Sequence, residues 1–361
     1  MAGLPWHRVF HPLCGADLGT LAGLVARRGL PSARGAPAFA IACAASLLRL
    51  PFTLAEAALD AASRAPVPAP VFIVGHPRSG TTHLHNLMAA TGAFATAPPV
   101  LAALPWEGRT IGPLLKPFVD PFLPATRLID GVAMGGDAPT EDEVGLANLG
   151  AGSYFHALYF PRAFAQDYRE GLLAPSRDRI VRRYVAAMGR RSTRPLLLKN
   201  PAYTGQVASL LRLFPMARVV HIHREPGDVF ASSRRALART LRELALQDFE
   251  AADIDTAILE TYPLMMRALR EQTANLPPGR FAEVAFEDVV ADPRGTLAAL
   301  WRQLGLPEAA PGGVEAHLAS VRSFRAEGAR LTPSDSAMLA RAWGPQIALY
   351  GRRGVSAAGT G

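Results

Sequence analysis

The chain has 361 residues, 49% apolar and only 19% charged, which excludes a disordered protein and allows one large α/β domain or two small ones. Lys plus Arg number 38 against 30 Asp plus Glu, and the formal charge of +8 favours an anionic ligand. Lysine occurs only at Lys116 and Lys199, so the arginine excess reads as compositional bias and no nucleic-acid partner is expected. The two cysteines, Cys14 and Cys43, lack CxxC spacing and argue against both a zinc site and a disulfide scaffold.

In chain order, His7, Arg8 and His11 interrupt any apolar leader, so no secretory signal is expected. Residues 1–64 read as short Ala/Leu-rich helices that pack on the core or lie at an interface. The apolar run Ala38 to Leu48 is expected to break at Arg49 and Pro51, short of the roughly 20 residues a span needs. A cytoplasmic protein follows as the expectation. Residues 38–59 nevertheless suit peripheral contact with the inner membrane surface. The proline-rich stretch Arg64 to Pro70 cannot continue a helix and opens a domain over residues 65–351.

That domain starts with Val71-Phe72-Ile73-Val74-Gly75, an apolar run suited to a strand buried on both faces. Leu196 to Leu198, Val219 to Ile222 and Phe281 to Phe286 repeat the signal. Helical stretches at Tyr203 to Phe214, Val229 to Leu246 and Ile258 to Gln272 separate them. Strands alternating with helices predict an α/β fold, three α/β/α layers around a central parallel sheet. Residues 98–139, rich in Pro and Gly, read as an irregular cap whose Leu114, Leu115, Phe118, Phe122 and Leu123 could wall an apolar acceptor pocket. Residues 352–361 read as a flexible tail.

Two motifs carry the chemistry. Gly75-His76-Pro77-Arg78-Ser79-Gly80-Thr81-Thr82 runs from a strand into a helix, so backbone N–H groups, the helix dipole and two threonine hydroxyls face an anion. Its glycines have P-loop spacing, yet Thr81 stands where nucleoside triphosphatases carry lysine, which demotes a nucleotide kinase or triphosphatase. His223-Arg224-Glu225-Pro226-Gly227-Asp228 repeats the strand-to-helix geometry, with Ser232 on the helix that follows. Arg224 and Ser232 suit a second phosphate.

Pro77-Arg78-Ser79-Gly80-Thr81-Thr82 resembles the 5′-phosphosulfate loop of sulfotransferases that use 3′-phosphoadenosine 5′-phosphosulfate (PAPS). Arg224-Glu225-Pro226-Gly227-Asp228 with Ser232 is similar to that family's 3′-phosphate signature. Leu198-Lys199-Asn200-Pro201, Phe286-Glu287-Asp288 and Leu304-Gly305-Leu306-Pro307 continue the likeness over roughly residues 70–308, closest to the bacterial-type branch. One departure stands out: Phe286 occupies a place that is usually Tyr.

The resemblance implies a PAPS-dependent sulfotransferase of P-loop-like fold, needing no metal, that sulfates a hydroxyl of a small molecule or lipid. It implies donor contacts at Arg78, Ser79, Gly80, Thr81, Thr82, Arg224, Ser232 and Phe286, with Arg78 at the leaving oxygens. For the base, Glu141 and Glu143 occupy a position where several family members place a catalytic Glu. Glu143 equally suits a capping box under Thr140, and His85 is an alternative base. Lys199, kept as lysine in an arginine-rich chain, suggests an ammonium near the transferring sulfonate. A non-catalytic nucleotide-binding protein on the same fold stands as the reading from another class.

Overall fold

The structure is a computed structural model that describes residues 10–62, 69–108, 111–119, 138–150, 152–173, 177–189, 192–306, 313–321 and 331–351. Four parallel strands form one sheet: β1 (Val71–Val74), β2 (Leu197–Lys199), β3 (Arg218–His223) and β4 (Phe281–Ala285), in the order β2-β1-β3-β4. These are the four strands expected from the apolar runs. Every side chain of β1 and β2 is buried, which explains the apolar run of β1 and the Leu197-Leu198 start of β2, where Lys199 is a buried charge. Ile73 is in register with Lys199 on one side and Val220 on the other.

The chain leaves β1 towards β2, then crosses back to place β3 on the opposite flank. The C-terminal ends of β1 and β3 therefore border a topological switch point, where open parallel sheets hold their ligands. Both predicted anion loops start there. The Pro226–Leu244 helix follows β3 with Pro226 in its first turn and the Glu225 side chain capping the Asp228 N–H. The expected Tyr203–Phe214 helix divides instead into a 3-10 turn, Pro201–Gly205, and a helix, Val207–Leu213. Asn200 caps the Ala202 N–H, and Gln206 takes a non-helical conformation between the two.

The N-terminal segment forms the Leu18–Arg28 and Ala36–Ala62 helices. Leu13, Leu21, Leu24 and Ala42 share one core cluster with Leu158, Tyr159, Leu237 and Leu241. The Gln247 amide bonds the carbonyls of Arg28 and Leu30, at 2.9 and 3.0 Å. Residues 10–62 are therefore built onto the domain.

Their second helix corrects the sequence reading. It runs 27 residues through Arg49 and Pro51 without a break. Arg49 is buried, with its guanidinium held at 2.6–2.8 Å by Glu107 and the carbonyls of Cys14 and Ala16. Thr53, one turn on, also bonds Glu107 at 2.5 Å. Tertiary anchors on both sides of Pro51 offset the loss of one helical bond, about 3 kcal/mol for an interior proline. The cap is also more regular than expected, with helices at Pro99–Ala103 and Gly112–Val119. Phe122, Leu123 and the tail beyond Gly351 lie outside the described residues, as does the Phe118 side chain.

Candidate active site

Gly80 caps the Thr81–Ala89 helix with φ +99°, and a Cβ there would stand 2.3 Å from Phe286 Cδ2. A Cβ on Gly75 would meet the Ile222 carbonyl at 2.4 Å, so neither glycine can be replaced without moving the loop. Between them Arg78 has φ +75°, the only positive φ outside glycine among the described residues. A left-handed non-glycine costs on the order of 1–3 kcal/mol, and such strain persists where the surroundings hold it. The hold is visible: Arg78 Nε donates to Ser232 Oγ at 3.0 Å, and Ser233 Oγ lies 3.4 Å from the Pro77 carbonyl. Two motifs 154 residues apart thus meet through Arg78 and Ser232.

Arg224 stands at the end of β3 with its guanidinium carbon 4.8 Å from the Phe286 ring centre and one nitrogen 3.3 Å from Asp228. Phe286 is thereby wedged between Gly80 and Arg224, a packing role that needs no hydroxyl. Within the two loops Ser79 Oγ and Arg224 Nε are buried donors with no protein acceptor among the described residues. An unsatisfied buried donor costs about 1–3 kcal/mol, so both fit an anionic ligand bridging the two loops.

The acidic run separates into three environments. Glu141 accepts from Lys199 Nζ and from the Tyr154 hydroxyl, both at 2.5 Å, and lines a small open cleft of about 50 Å³. Arg78, Thr81, Thr82, Leu158, Tyr168 and Leu237 line the same cleft. Burial and the Glu141 and Glu143 carboxylates push the Tyr154 phenol well above its ordinary range, so it stays a donor. Asp142 is buried against the Tyr184 hydroxyl at 3.3 Å, and burial drives its carboxyl well above the usual range.

Glu143 is wholly buried: Arg177 holds its two oxygens at 2.7 and 3.0 Å, and the Asn200 amide donates to one of them. No capping box forms, because Glu141 is the N-cap and the Thr140 hydroxyl bonds the Ala138 carbonyl instead. Lys199 is fully buried behind Glu141 and does not line the cleft, so its ammonium orients that carboxylate.

The histidines stand apart from this geometry. His85 is buried on the Thr81–Ala89 helix and is not a cleft residue. His76 turns Nδ1 to the Pro77 carbonyl at 2.8 Å, and burial lowers its pKa to about 4, leaving it neutral at pH 7. His221 pairs with Glu283 at 2.7 Å, and His223 packs against the Tyr350 ring. They form a polar layer on β3.

Sequence reasoning missed Tyr154 and Arg177. Neither stands in a motif, and an arginine carries little signal in a chain with so many. Each lies on a separate helix or loop that only the tertiary fold brings to the acidic run.

A parallel sheet whose switch point carries two arginine-bearing loops has the P-loop-like arrangement and suits an anionic ligand. Residues 70–310 match the sulfotransferase family model. The omega-hydroxy-beta-dihydromenaquinone-9 sulfotransferases Stf3 of Mycobacterium bovis and Mycobacterium tuberculosis are each 30% identical over 304 residues, 78% of this chain and 75% of theirs. Among solved structures, the sulfotransferase STF9 of Mycobacterium avium superposes with a TM-score of 0.72 at 15% identity, over 93% of this chain and 97% of that one. STF1 of M. tuberculosis gives 0.66 at 20% identity over 91% of each chain. These two likenesses establish the fold.

The chain belongs to the sulfotransferase family. It is an enzyme of the PAPS-dependent type, and family membership sets aside the kinase, triphosphatase and non-catalytic readings.

Proposed function

We propose that this sulfotransferase acts on the hydroxyl of an apolar, lipid-like alcohol, with Glu141 as general base and Arg78 beside the leaving phosphate. The supporting observation is the make-up of one cleft. Arg78, Thr81 and Thr82 line it together with Glu141 and the apolar Leu158, Ala236 and Leu237. The Stf3 relatives are named for an omega-hydroxylated menaquinone derivative, a hydroxyl on a lipid-like molecule, which is the chemistry such a cleft would take.

In the reaction the acceptor oxygen attacks sulfur while the bond between sulfur and the bridging 5′-phosphate oxygen breaks. The acceptor proton passes to a Glu141 oxygen, and 3′-phosphoadenosine 5′-phosphate (PAP) leaves. Negative charge developing on the leaving phosphate faces Arg78 and the Thr81 and Thr82 hydroxyls. Donors fixed in place before the reaction lower the barrier there, and no metal is required. Ser79 and Gly80 complete the 5′ cradle, and Arg224 and Ser232 take the 3′-phosphate. Lys199 and Tyr154 are positioning residues, since their hydrogen bonds hold Glu141 and leave its remaining lone pairs for the acceptor. A cytoplasmic location with peripheral contact at the inner membrane surface belongs to the same reading.

A panel of hydroxylated acceptors offered with PAPS tests it. Sulfation of isoprenoid or long-chain alcohols at a kcat/KM about a hundredfold above that of sugars or small phenols is expected, the scale of about three buried methylenes at about 0.8 kcal/mol each. Preference for a polar acceptor contradicts the proposal.

A further inference from the structure

The Ala36–Ala62 helix is amphipathic with its polarity reversed. Ser46, Arg49 and Glu56, spaced three and then seven residues apart along one face, are buried against the protein. The rest of its circumference presents Leu47, Leu48, Leu50 and Leu54, which are between 39% and 77% exposed. Over Ala36–Leu59 the only charged side chains are Arg49 and Glu56, and both point inward. A helix of a water-facing surface does the opposite.

The stretch has the length and hydropathy of a membrane span, yet only 17% of its most apolar window is buried in the protein, so it is not a core helix. Nor can lipid surround it. Arg49 and Thr53 are bonded to Glu107, and stripping that pair from the protein into hydrocarbon is prohibitive. A helix fastened by a polar stripe to a folded domain, with leucines on its free face, lies along an interface instead of crossing it.

We infer that this face docks the enzyme on an anionic phospholipid bilayer, with the helix in the interfacial plane. Its 24 residues would lay down about 36 Å of apolar contact. Charge favours lipid over a second copy of the chain. Arg27 and Arg34 are exposed beside Leu30 at the N-terminal approach to the helix, and the formal charge of +8 is drawn to anionic headgroups but repels a like molecule. The helix also packs against the cleft's own support, with Phe39 edge-on to Phe160, immediately after the Tyr154–Tyr159 helix that supplies Tyr154 and Leu158. The inference rests on the lipid-alcohol reading above, and places the enzyme where such an acceptor resides.

Co-sedimentation of the full chain with phosphatidylcholine–phosphatidylglycerol vesicles at low salt tests it, with stabilisation by PAP measured in parallel. The wild type is expected to pellet with vesicles. Replacing Leu47→Asp, Leu48→Asp and Leu54→Asp together should cut binding about tenfold or more, since charges are disfavoured in the interface, while the PAP-induced rise in Tm is unchanged. Wild type that stays in the supernatant, or a triple variant that binds as well, overturns the docking. A wild-type dimer in sedimentation that the triple variant makes monomeric, with vesicle binding unaltered, overturns it in favour of a second copy. Loss of the PAP response in the wild type would sink the donor site instead, so the two failures are distinguishable.

Discussion

Replacing Glu141→Gln is expected to lower kcat by about 10²–10⁴, the range for loss of a positioned general base, with PAP affinity nearly unchanged. The amide keeps the size of the carboxylate and its one oxygen can still accept from Tyr154 or Lys199, but it cannot take the acceptor's proton, and because Lys199 loses its carboxylate partner the variant's Tm is measured alongside. Steady-state kinetics beside PAP titration separate the two effects. Wild-type kcat in this variant, with loss of turnover in a His85→Gln variant, would transfer the role to the histidine.

Two residues on, the same acidic run should behave differently. Glu143→Ala leaves the Arg177 guanidinium buried without its bidentate partner and strips the Asn200 amide of its acceptor. Breaking one side of a buried pair typically costs about 3–5 kcal/mol, so a large drop in the denaturant midpoint is expected. Protein that remains folded should retain turnover per active molecule, because the pair stands behind the cleft wall. Unchanged stability together with lost turnover would place Glu143 in the chemistry and reverse the assignment made for Glu141.

This contrast marks where the sequence stops being informative. The acidic run Glu141-Asp142-Glu143 is plain in the sequence, but its members are told apart by partners far along the chain. Lys199 is 58 residues from Glu141, and Arg177 is 34 from Glu143. The strands were legible because β1 is buried on both faces and apolar throughout, and β2 is apolar up to its terminal Lys199. Both loops were legible too, since glycines at φ +152° and +99° and a strand-end arginine leave local signatures. Their union through Arg78 and Ser232 is a tertiary fact with none. Arg49 is the instructive error. Counted as a charge it ends an apolar run, whereas bonded to Glu107 it faces inward and the helix continues through Pro51. A residue's polarity does not disclose which way it points.

The most direct test of the account is a transfer reaction on an undefined mixture. Purified wild type and the Glu141→Gln variant are each incubated with radiosulfur-labelled PAPS and a total lipid extract, alongside an extract of polar metabolites, and labelled products are identified by mass spectrometry. The account predicts a sulfate ester on a lipid hydroxyl, formed by the wild type and nearly absent with the variant. Label appearing in a polar metabolite, or in the same lipid product at equal rates from both proteins, would contradict it.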